Sequence, residues 1–73
     1  LPEELMVILK IIKNHRNKSI MINQRKMMKI LNITKPTLKK RVRSLMDLNY
    51  ISFEKKGNNK YFVLTNKGNS LVD

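Results

Sequence analysis

The residues of this sequence that could do chemistry are almost all basic. The run "KPTLKKRVR" places Lys39, Lys40, Arg41 and Arg43 within five positions, and Lys55, Lys56 and Lys60 surround the tract Gly57-Asn58-Asn59. Fixed cations at this density suit a polyanion rather than a reaction. Catalytic alternatives are poorly supplied. There is no cysteine, which excludes disulfides, thiolate metal sites and thiol nucleophiles. The single histidine, His15, sits beside Asn14 and Arg16 with no partner spaced for metal binding or proton transfer, so a structural or solvent role is expected. The five acids are scattered, and the neighbours Glu3 and Glu4 would not face each other on a helix. Neither a Ser/His/Asp set nor a glycine-rich phosphate loop is present. No enzyme, metal site or cofactor is expected.

Composition narrows the partner. The chain has 73 residues, a length that reads as one domain over 1–73, and a domain of this size buries only about 60% of its unfolded surface. Apolar residues make up 41%, enough for a core. Sixteen Lys and Arg against five acids give a net charge of +11, a self-repulsion that an anionic partner would offset. Nucleic acid and an anionic membrane are the two candidates. No apolar run approaches the ~18 residues of a membrane span. The apolar start "LPEELMVILKIIK" opens with acids and lacks a small-residue cleavage site, so it is not read as a signal peptide and a cytoplasmic location is expected.

Periodicity supplies the elements that must position these cations. "PEELMVILKIIKNH" predicts a first helix, with Leu5, Ile8, Leu9 and Ile12 in one stripe and Val7 and Ile11 in a smaller one. Ser19–Ile22 is a strand candidate. Asn23 is a helix N-cap for "QRKMMKILN", which turns Met27, Met28 and Leu31 inward and Arg25, Lys26 and Lys29 outward. After the break "NIT", Thr34 caps a helix running to about Leu48, with Pro36 tolerated in its first turn and Asn49 suited to a left-handed exit. "YISFEKK", "GNN" and "KYFVLT" predict a β-hairpin, and Thr65 caps a final short helix. The five methionines read as core filler, and Tyr61 as a cross-strand packing residue alternating away from Phe62 and Leu64. The order is α-β-α-α-β-β-(α), an α+β unit with a three-helix core and a small antiparallel sheet.

On a helical wheel of residues 35–48, Leu38, Val42 and Leu45 lie together, while Pro36, Lys39, Lys40 and Arg43 lie opposite and Arg41 borders the buried side. Two helices across a short break, the second basic on its outer face, form the helix-turn-helix pattern. An interfacial membrane helix would need an exposed apolar face, and here that stripe is needed for the core. Double-stranded DNA is therefore the expected partner, and no membrane is. Base contacts are expected from Lys35, Thr37, Lys39, Lys40 and Arg43, with Thr34 and Pro36 beside them. Arg43 is favoured for guanine because a guanidinium donates in a fixed fork. Arg25, Lys26 and Lys29 are expected on phosphates, as are Lys55, Lys56 and Lys60 with Asn58 and Asn59.

The segments "LNITKPTLKKRVRSLMDLNYI" and "YFVLTNKG" resemble the winged helix-turn-helix of MarR-type transcriptional regulators. Ile33, Thr34, Thr37, Leu38, Lys40, Val42, Leu45, Tyr50, Ile51, Leu64, Thr65 and Gly68 fit that pattern, and the resemblance spans residues 5–72. It implies a β-hairpin wing, a transcriptional regulator, helix 34–48 in a major groove and wing residues 55–60 on the minor groove or backbone. Asn49 stands where the family has glycine, and "KKGNNK" lacks the family's Asp-Arg wing signature. The flanking dimerisation helices are reduced to residues 1–14 and 65–72, so a monomer or a weak homodimer through Val7 and Ile11 is expected, with pairing on DNA of two half-sites. The alternatives are a DNA-binding module of a plasmid or viral replication initiator, a non-specific architectural DNA-binding protein, and a winged helix that contacts protein.

Overall fold

The spacing of apolar residues along the first helix sets the framework of the molecule. In the computed structural model, which describes all 73 residues, α1 (Glu3–Asn17) buries Leu5, Ile8, Leu9 and Ile12 on one face. Glu3 and Glu4 occupy its first turn, where carboxylates complement the positive end of the dipole. Then follow α2 (Gln24–Leu31), α3 (Lys35–Asp47), β1 (Ile51–Lys56), β2 (Asn59–Leu64) and α4 (Asn66–Leu71). Helix α2 starts where the Asn23 side chain accepts a hydrogen bond from the Lys26 N–H at 2.9 Å. Thr34 precedes α3 in extended conformation, but its hydroxyl bonds that of Thr37 at 3.1 Å rather than capping a backbone N–H.

All three longer helices end in the same way without glycine. Ser19, Asn32 and Asn49 adopt φ of 59, 54 and 62°. Each is followed by an N–H that donates five residues back: Ile20 to His15 O at 2.8 Å, Ile33 to Met28 O at 3.2 Å and Tyr50 to Leu45 O at 2.9 Å. This left-handed closure satisfies carbonyls that a helix end would otherwise leave free. Asparagine tolerates this conformation at both Asn32 and Asn49, and of the three only Asn49 is expected above to adopt it.

The closure at Ser19 also removes an expected element. Ser19–Ile22 does not form a strand; what remains is one bridge between Asn23 and Tyr61 and a 2.8 Å bond from the Phe62 N–H to Ile22 O. Because α1 continues to Asn17 and Ser19 turns the chain, too few residues are left to run along β2, and Ile20 stays 40% exposed. The bridge half-buries Tyr61.

The sheet is the single antiparallel pair β1–β2, in which Ile51 faces Leu64, Phe53 faces Phe62 and Lys55 faces Lys60. Its turn is two residues, Gly57-Asn58, with Asn59 already in the strand. Gly57 alone in the turn has positive φ, 61°, as the first central position of a type II′ turn requires.

The core joins the α1 stripe to Ile22, Met27, Leu38, Val42, Leu45, Ile51, Phe62 and Leu64. Of the methionines only Met27 is fully buried; Met6, Met21 and Met28 are half-buried, and Met46 is 44% exposed on the flank of α3. Met46 lies about 80° around the helix from Leu38, past the edge of the buried stripe. Val7 and Ile11 are half-buried, Ile11 packing on the core.

Helix α4 locks the exit of α3. The Thr65 hydroxyl donates to Asn49 O at 2.7 Å and accepts from the Gly68 N–H at 3.0 Å, while the Thr65 N–H donates to Tyr50 O at 3.1 Å. A Cβ on Gly68 would stand 2.0 Å from Tyr50 O, so no other residue fits without moving backbone. Asn69 accepts from Lys13 and, at 3.3 Å, from Arg16, which fastens α4 to α1. No helix is long and apolar enough to cross a membrane.

Candidate nucleic-acid interface

Burying Leu38, Val42 and Leu45 against α1 and the sheet fixes the rotation of α3, and with it the direction of every cation on that helix. Lys35, Pro36, Lys39, Lys40 and Arg43 are exposed, as are Thr34 and, on α2, Arg25, Lys26 and Lys29. Thr37 and Arg41 are half-buried. In the hairpin, Lys55, Lys56, Asn58, Asn59 and Lys60 are all exposed.

These side chains do not form one uniform face. Lys39 and Arg43 border a cleft between α3 and the hairpin, closed on the far side by Lys60 and floored by Val42, Met46, Phe53 and Phe62. Asp47 lies at its end. Lys35 instead borders an adjoining cleft between the start of α2 and the hairpin tip, with Gln24, Arg25, Asn58, Asn59 and Lys60. Thr37 and Lys40 turn away from the hairpin, toward a cleft shared with Arg41, Ser44 and the start of α1, where Glu4 adds a negative charge. Lys26 and Lys29 flank Arg25 on the outer surface of α2. The residues expected to read bases are thus divided among three environments.

Electrostatically the surface is almost unopposed. The only ion pair is Lys13 with Asp73 at 3.1 Å, so no cation of α2, α3 or the hairpin has a carboxylate partner. The hairpin adds a like-charge pair: Lys55 and Lys60 face each other across the strands, an arrangement that destabilises a sheet in isolation. Lys60 is steadied by its ammonium group, with Nζ 5.3 Å from the centre of the Phe53 ring. Phe53 in turn packs on Phe62 with ring centres 5.0 Å apart.

Sequence reasoning missed Gln24. It is half-buried and lines both hairpin-side clefts, bringing an amide between Lys35, Lys39, Arg43 and Lys60. The available signal was an amide directly after the Asn23 cap in a basic segment, which reads equally well as an ordinary first helical residue. His15 does not face this surface: its ring Nδ1 lies 2.9 Å from Ile11 O, within α1. No group of three or more acidic, histidine or cysteine side chains is placed to hold a metal ion.

No protein-family model matches the chain, and no curated protein or solved structure matches it.

Proposed function

We propose that this protein is a winged helix-turn-helix domain that binds double-stranded DNA sequence-specifically as a transcriptional regulator. The observation that carries this reading is the convergence of unpaired cations from α2, α3 and the hairpin on adjoining clefts, with α3 exposing Lys39 and Arg43 beside a protruding basic hairpin. Helix α3 has the dimensions to enter a major groove about 12 Å wide, and the hairpin then meets the neighbouring minor groove or backbone. The cleft between them carries an apolar floor, cations and one carboxylate, a mixture suited to base edges and thymine methyl groups rather than to phosphates alone. The half-burial of Val7 and Ile11 favours a monomer or weak dimer in solution.

The test combines binding-site selection with salt-dependent affinity. With about six phosphate contacts, log K should fall against log salt with a slope near −5. Arg43→Ala should cost about 1–3 kcal/mol on the selected site and relax preference at one base position, with little effect on a random duplex. A slope shallower than about −2 would defeat docking through both α3 and hairpin. Equal losses on both duplexes, with an unchanged motif, would instead assign the protein to non-specific DNA coating.

A further inference from the structure

We infer that Gln24, Arg25, Lys35, Asn58, Asn59 and Lys60 form a seat for one phosphodiester group, and that Lys35 serves this seat instead of reading a base; the inference rests on the duplex-binding reading above. Three elements distant in sequence meet at this cleft: the start of α2, the first residue of α3 and the hairpin tip. They contribute three cations and four side-chain amides, one of which, Asn23, already accepts from the Lys26 N–H, and no acid lines the cleft. Cations and amide N–H groups are the donors that bind phosphate oxygens most strongly, through charge-assisted hydrogen bonds. Lys60 has the further reason that Lys55 opposes it across the hairpin, so an anion at this point relieves a repulsion built into the fold.

The neighbouring cleft supports the division of labour by contrast. Lys39 and Arg43 share theirs with Asp47 and an apolar floor. A carboxylate repels phosphate but accepts a hydrogen bond from a cytosine amino group. Bases therefore belong with Lys39 and Arg43, and the phosphate that links the two grooves belongs at the junction. The seat fixes the register of the hairpin relative to α3 without carrying sequence information.

The experiment replaces each phosphate of a selected duplex, one at a time, by an uncharged methylphosphonate and measures affinity for the wild type and for Lys35→Gln. One position should lower wild-type affinity about tenfold, the size expected for one lost charge-assisted hydrogen-bonding contact. Lys35→Gln should weaken the unmodified duplex to the same degree, add nothing at that position, and leave the selected motif unchanged. A relaxed base preference in Lys35→Gln, or losses that add in full at every position, would overturn the assignment. If the wild type binds no duplex, the proposed function falls, and the seat is then judged by titrating inorganic phosphate and following the side-chain amide resonances of Gln24, Asn58 and Asn59. Shifts that Lys35→Gln abolishes would uphold a phosphate site for a ligand other than DNA; an absence of shifts in the wild type would overturn the seat as well.

Discussion

At the root of the hairpin Ile51 faces Leu64 and Phe53 faces Phe62, and three of these four side chains belong to the buried core. At the tip Lys55 faces Lys60 and Lys56 faces Asn59, every one of them exposed. The same two strands thus carry one half held by apolar burial and another whose side chains oppose each other. In the free protein the one contact that offsets the arrangement at the tip is the Lys60 ammonium over the Phe53 ring. Residues that weaken a fold locally with so little internal compensation are where an external partner is to be sought, and the chemistry of this tip asks for an anion.

Mutations can sharpen that contrast or break it. The largest effect should come from the root: Phe62→Ala removes a buried aromatic contact and should cost about 3–5 kcal/mol in chemical denaturation. In a domain with a total stability of order 5 kcal/mol such a loss could unfold it. A variant with wild-type stability would mean that the sheet is not part of the core. Next comes the turn, where Gly57→Ala meets no atom within 4 Å but must hold φ near 61°, so about 1–3 kcal/mol should be lost through backbone strain alone. The smallest effect should have the opposite sign. Lys55→Glu replaces a repulsive cross-strand pair by an attractive one and should raise stability by about 0.5 kcal/mol, less at high salt. The same change should weaken selected and random duplexes alike and make the salt slope shallower by about one. Loss of stability in Lys55→Glu would show that the tip is held by something other than its strand pairing.

Much of the architecture was legible because it depends on local chemistry. The caps at Asn23 and Thr65 follow from short polar side chains placed just before helical segments, and the left-handed Asn49 from its place at a helix exit. The buried stripe Leu38, Val42 and Leu45 follows from helical period. Thr34 stands where a cap was expected, but Thr37 competes for its hydroxyl, a choice between two nearby partners that sequence does not settle. The strand expected at Ser19–Ile22 failed for a related reason. Its apolar run Ile20-Met21-Ile22 suits a strand, but the closure of α1 took Ser19 into the turn and left only the bridge at Asn23.

The candidate site divides along the same line. Sequence alone determined that α3 has a basic side opposite an apolar one, because both facts depend only on residue type and a rotation of about 100° per residue. What stands beside each cation was decided by tertiary packing. Lys39 and Lys40 are adjacent in sequence, yet one faces the hairpin and the other the start of α1. Lys35 joins Gln24 and Lys60, residues 11 positions before it and 25 after it, only because α2 and the hairpin pack against α3 from the same side. A helical wheel gives each side chain a direction, whereas the neighbours in that direction come from elements whose docking is fixed by burial of Ile22, Met27 and Phe62 in the shared core.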